Sequence, residues 1–165
     1  MDNKNEELNI AQIPKVKMSD NMKIEHRDAK GNLISSQTLE NLITSAGKAA
    51  VASRINGSGA EAVFNYMAIG IGAVAANVAD TALGSEITTF GGQRVVATVS
   101  RITTAVANDT AQFVNTFSFT GGFAITEAGI LNAAAAGSLL ARRVFGAINV
   151  LSGDSITITW QIQVA

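Results

Sequence analysis

The stretch Ser155-Ile156-Thr157-Ile158-Thr159-Trp160-Gln161-Ile162-Gln163-Val164 alternates without a break, with Ile156, Ile158, Trp160, Ile162 and Val164 on one side and polar residues on the other. A period of two is that of a β-strand, and a strand with one apolar face belongs to an antiparallel sheet whose partner layer completes the core. A slip of one residue would put Trp160 and four branched side chains into water, so the register of this strand is tightly specified. Phe113, Phe117 and Phe119 are the expected opposite wall.

Working back from that strand, RVVATVSRITT (94–104), AQFVNTFSF (111–119), AITEAGILNA (124–133) and SLLARRVFGAINV (138–150) are each rich in β-branched or aromatic residues. Turn signals separate them at Ala107-Asn108-Asp109, Gly121-Gly122, Ala136-Gly137 and Gly153-Asp154. FNYMAIGIG (64–72) reads as a buried strand, and ANVADTALGSEI (76–87) as a loop with a short helical turn around Thr81 to Glu86. Further back, Met22, Ile24 and His26 alternate with Lys23, Glu25 and Arg27 before a turn at Asp28-Ala29-Lys30-Gly31, the pattern of a hairpin. Between Thr38 and Ile55 the period becomes helical, with Leu39, Leu42, Ile43, Ala46, Ala50 and Ile55 on one stripe, Thr38 or Asn41 as cap and Asn56-Gly57 as the stop. The whole is a mainly β chain: an antiparallel sandwich of jelly-roll or immunoglobulin-like type over 21–165, with one packed helix over about 38–56. Residues 1–20, which hold the only proline, Pro14, and no sustained period, are expected to form an extended arm anchored by Leu8, Ile10, Ile13 and Val16.

Charge is unevenly placed, because residues 1–60 hold 15 of the 25 charged side chains and the other 105 residues hold 10. A soluble domain averages about a quarter charged residues, so much of the β region is suited to facing protein. With no cysteine, one histidine and a net charge of −1, the chain fits neither a disulfide scaffold nor a basic nucleic-acid binder. No run of about twenty apolar residues suits a membrane span, and the polar start MDNKNEELNI is unlike a secretory leader, so the cytosol is the expected starting compartment.

Candidate chemistry is sparse. Gly70-Ile71-Gly72-Ala73-Val74-Ala75 matches the loose G-x-G-x-x-A form of a dinucleotide-binding turn, but a helix of useful length does not follow, so the glycines read as a strand end. Thr44-Ser45-Ala46-Gly47-Lys48 is similar to the end of a phosphate loop, yet the earlier glycine is replaced by Leu42; Gly47 reads as a point of close helix packing. His26, without cysteine or a second histidine, is expected to be a half-exposed strand residue. Arg142 and Arg143 are adjacent on a strand and so point to opposite faces; one turned toward the inner layer or a neighbouring chain needs a carboxylate, for which Glu127 is the candidate, and the alternative is an edge strand with both guanidiniums in water. No catalytic, metal or cofactor site is expected.

The segments YMAIGIGAVAANVADTALGSEI, RVVATVSRITT, NDTAQFVNTFSFTGGFAITEAGILNA and LLARRVFGAINVLSGDSITITWQIQV, in this order, resemble a group of virion structural proteins of tailed bacteriophages. The likeness runs from about Asn32 to the end. It implies a non-enzymatic particle component, assembled in the bacterial cytoplasm and located in the virion. Its implied role is a capsid decoration or cement protein that binds the outer shell and bridges major capsid subunits, self-associating as a dimer or trimer, without nucleic acid or membrane. A tail or neck component, or a particle-surface receptor- or carbohydrate-binding module, is the alternative. On this reading Leu8, Ile10, Ile13 and Val16 bind the partner.

Overall fold

The C-terminal alternation is realised at the centre of a sheet. A computed structural model describes residues 15–59 and 61–165. The elements in chain order are β1 (Met18–Arg27), β2 (Leu33–Glu40), β3 (Leu42–Ile43), α1 (Ser45–Asn56), β4 (Tyr66–Gly70), β5 (Val95–Val96), β6 (Thr98–Ile102), β7 (Thr110–Ser118), β8 (Phe123–Leu131), β9 (Leu139–Val150) and β10 (Ser155–Val164). They form two five-stranded antiparallel sheets, ordered β2-β1-β10-β7-β6 and β3-β9-β8-β4-β5, so the architecture is a β-sandwich with one helix.

Ile156, Ile158, Trp160 and Ile162 are all buried, and Val164 at the sheet end is half exposed. Phe113 and Phe117 do not face them from the other layer. They sit on β7 directly beside Trp160 and Ile156 in the same sheet, because alternation fixes a residue's face and leaves open which strand lies next to it. The opposite wall is built by Met67 and Ile69 of β4, Ile125, Ala128 and Ile130 of β8, and Ile148 and Val150 of β9, which join the tryptophan in one core cluster.

The hairpin of β1 and β2 forms as expected, with Gly31 at φ 85° in its turn. The helix does not begin at Thr38. Thr38 and Leu39 lie on β2, and Leu42 and Ile43 form β3, so a two-residue period broken by one corner had imitated the spacing of a helical stripe. Ile55, assigned to the apolar stripe, is exposed, and only Gly47 and Ala50 of α1 are buried. The cap is Thr44, whose hydroxyl accepts from Gly47 N at 2.9 Å and donates to the Leu139 carbonyl. Gly57, left-handed at φ 68°, ends the helix. A Cβ on Gly47 would collide with the Leu140 backbone, so this glycine does permit the close helix–strand approach read from sequence.

The chain passes between the sheets four times, and two of these passages are single-residue corners. The chain passes from the first sheet to the second at Asn41, between β2 and β3, and back at Ala97, between β5 and β6, so RVVATVSRITT is two short strands and not one. No helical turn forms between Thr81 and Glu86; Glu86 instead bridges Gly70. β1 begins at Met18, three residues inside the stretch assigned to the arm, and Lys17 exchanges backbone hydrogen bonds with Ala165.

Candidate functional site

Of the two neighbouring arginines, Arg142 takes the carboxylate. Its guanidinium lies 2.7 Å from Glu127 Oε2 and 2.7 Å from Asp80 Oδ2 on the outer side of the second sheet, and both Arg142 and Glu127 are buried. Glu127 also accepts from the backbone N–H groups of Gly72 (3.0 Å), Gly84 (2.9 Å) and Ser85 (2.7 Å). The carboxylate therefore ties the loop 71–86 down over β8. Burial works against the charge of Asp80, but the Asn77 N–H and the Arg142 guanidinium outweigh it and hold that carboxyl below its ordinary range. Burial likewise disfavours the Arg142 cation, yet the hydrogen bonds and charges of Asp80 and Glu127 prevail and its pKa is raised.

This arrangement explains the G-x-G motif. A Cβ on Gly70 would lie 2.5 Å from Glu127 Oε1 and the Ser85 carbonyl, and one on Gly72 would also strike Glu127. The glycines admit an internal carboxylate where a dinucleotide turn admits a pyrophosphate. An irregular loop follows them, with no helix before β5.

The other buried polar groups are committed in the same way. His26 is buried rather than half exposed: it lies on the inward face of β1 with Met22 and Ile24, and its Nε2 is 3.3 Å from Asp154 Oδ2. Asp154 Oδ2 also accepts from Leu151 N at 2.9 Å, which ties the histidine to the turn before β10. The alternation Met22, Ile24, His26 had signalled that inward placement. Arg94 forks onto Glu86 at 2.8 and 2.6 Å and donates to the carbonyls of Ala133 and Ala136. Among the described residues no group of three or more His, Cys, Asp or Glu side chains is placed to hold a metal ion. No described helix is long and apolar enough to cross a membrane.

The features left for recognition include the sheet edges, the root of the arm and several shallow clefts. Leu8, Ile10 and Ile13 lie outside the described residues, while Val16 is 79% exposed just before β1. Next to that root, Asp20 accepts from Trp160 Nε1 at 3.3 Å and from Asn41 N at 3.1 Å. Burial pushes its carboxyl above the ordinary range, against the pull of those two donors and of Arg143. The outward face of the first sheet is polar with few charges, its hydroxyls and amides paired to each other, as in Thr116 with Thr157 (2.8 Å) and Gln161 with Gln112 (2.9 Å). β2 runs along one side of this sheet with no described strand beyond it, and β3 covers β9 only at Ala141 and Arg142.

Where β3 stops, Asn41, Leu42, Arg142, Arg143, Val144 and three alanines of the loop 71–86 line a cleft of about 360 Å³. Sequence reasoning singled out Arg143 only as one of two adjacent arginines and noticed Asn41 only as a possible cap. The position of both at a corner between sheets carries no local signal.

The fold defines the class: an antiparallel β-sandwich whose buried charges serve its own loops. No protein-family model, curated protein or solved structure matches the chain.

Proposed function

We propose that the chain is a non-catalytic structural protein of a tailed-bacteriophage virion, a decoration or cement protein that binds the outer capsid surface and bridges major capsid subunits. One observation carries the reading. The buried charged side chains, Glu127, Arg142, His26 and Asp154, are hydrogen-bonded within the fold, while open sheet edges and an exposed arm root are left over for partners. Edges of that kind bind extended segments through main-chain hydrogen bonds and need no reactive group. The low charge of the β region suits the same use, since few ions must be stripped of water when it is covered. The segment-by-segment resemblance supplies the phage context, and self-association as a dimer or trimer belongs to the proposal.

A carbohydrate-binding role is less well supported. Trp160 is fully buried and Tyr66, the one tyrosine, is partly buried against Ala68, Leu83, Leu131 and Leu139, so these two rings leave little stacking surface for a sugar. The test is to label intact particles of the phage that encodes the chain with antibodies to the purified protein. Label over the shell is the expected result. Label confined to the tail or neck would move the chain there, and particles without label would refute a virion role.

A further inference from the structure

The sandwich is left open along β6. Val99 stands beside Phe113 in register and shares its inward face, as Arg101 does beside Ala111. Phe113 is buried, yet Val99 is 53% exposed, since β5 in the facing sheet holds only two residues. Phe64, residues 99–101 and residues 111–113 line a groove of about 370 Å³ at this place, and β6 has no described strand beyond it. An uncovered apolar face beside an unpaired edge suits one further strand.

Arg101 restricts what that strand can be. Among the described residues no carboxylate lies within ion-pair distance of it. A second β6, paired antiparallel about Ser100, would set each Arg101 opposite Val99 of the other copy and gather two guanidiniums on one face, which is unfavourable. The complement is a segment with apolar side chains at alternate positions and a carboxylate in step with them. The chain carries one outside the described residues: in Glu6-Glu7-Leu8-Asn9-Ile10, the side chains of Glu6, Leu8 and Ile10 share one side of an extended backbone. Antiparallel to β6, this segment sets Glu6 opposite Arg101, Leu8 opposite Val99 and Ile10 near Ala97, whose N–H bonds Asn65 O next to Phe64. Parallel, with Leu8 kept at Val99, Ile10 would fall on Arg101 and the carboxylate would lie far from the cation.

The antiparallel direction excludes the chain's own groove. Ile102 is at the same end of the sheet as the arm root, through Thr110 and Gln163, whereas the docked segment would leave β6 at the Thr98 end, level with Lys23 through Val114 and Thr159. From Ile10 there to Lys17 is about 30 Å straight through the sheet, taking four strand spacings across and seven residues along. The seven residues that join them reach at most about 25 Å.

We propose that the β6 groove receives residues 6–10 of a second copy of this chain, so that exchanged arms close the dimer or trimer. The inference rests on the self-association in the reading above and assigns a surface and a register to it.

The experiment is sedimentation of the full chain and of full-length variants, with circular dichroism as the check on folding. Wild type should sediment as a dimer or trimer. Leu8→Ser with Ile10→Ser, which alters only the arm, and Val99→Asp should each give folded monomers. Arg101→Glu and Glu6→Lys should each weaken association by about fivefold, and the two together should restore most of it. Wild type that stays monomeric at every concentration, or oligomers that survive the arm variant, would overturn the proposal. Charge reversals whose effects simply add would overturn the register. Particle labelling does not depend on the oligomeric state in solution, so either proposal can fail alone.

Discussion

Glu127→Gln is the perturbation that most directly probes how the loop 71–86 is held. The glutamine keeps the shape of the side chain, and its carbonyl can retain the bonds that Oε1 accepts from Gly72 and Ser85. Its amide group, however, must sit where Oε2 accepts from Gly84 N and from Arg142, so donors meet donors. Arg142 is then left buried with Asp80 as its only carboxylate. Removing one partner of a buried ion pair costs about 3–5 kcal/mol, and for a chain of this size each kcal/mol lowers the melting temperature by about 2–4 °C, giving a fall of about 6–20 °C. Thermal unfolding followed by circular dichroism measures that fall, and amide exchange shows where it arises: Gly72, Gly84 and Ser85 should lose protection while Ile156, Ile158 and Ile162 keep theirs. Replacing both members, Glu127→Gln with Arg142→Met, should recover part of the loss, because no buried charge is then stranded. A single variant that melts within about 1 kcal/mol of wild type, with the three loop amides unchanged, would refute the assignment of Glu127 as the anchor of this loop.

Trp160 should emit like a tryptophan away from water, and Trp160→Ala should cost about 3–5 kcal/mol as a core cavity; a red-shifted emission from the native protein would contradict its complete burial. Asp20 titrates above its unfolded value. The folded chain therefore holds that proton to higher pH than the unfolded chain, and the contribution of Asp20 to stability falls as pH rises from near the unfolded value through the folded one. The stability of Asp20→Asn relative to wild type should accordingly increase between pH 3 and pH 7 in thermal melts, and a constant difference would reject that sign. Deleting residues 1–17 should leave the thermal transition nearly intact and abolish attachment to particles, whereas deletion through Asp20 should also lower stability, since it removes the acceptor of Trp160 Nε1. Attachment that survives the shorter deletion would remove the arm from the mechanism.

The particular residues show where local pattern was sufficient. The alternation of 155–164 and of Met22 and Ile24 is carried by backbone geometry within one strand, so it gave the inward faces of β10 and β1 directly. Gly57 and Gly31 were legible because positive φ is a property of a single residue. The pairing of an arginine at 142 or 143 with Glu127 was legible too, since a guanidinium buried on a strand has few permissible partners, although the pair lies on the outer side of the sheet under the loop 71–86 and not in the inner layer.

Other features depended on contacts far apart in the chain. The spacing of Leu39, Leu42 and Ile43 fits a helical stripe as well as two strands meeting at a corner, and only the pairing of β2 with β1 and of β3 with β9 decides between them. Placement of Phe113 beside Trp160 instead of across from it required the order of strands in the sheet. The burial of His26 against Asp154, 128 residues away, required the same closure. What the amino-acid sequence determined by itself is therefore the direction each side chain takes along its own strand, along with the turns between strands. The tertiary structure decided which strands are neighbours, and with that which polar groups are used up inside and which, at Asn41 and Arg143, are left without partners. The physical reason is that alternation and turn chemistry are set within a few residues, whereas strand order is set by hydrogen bonds and packing between segments that share no local code.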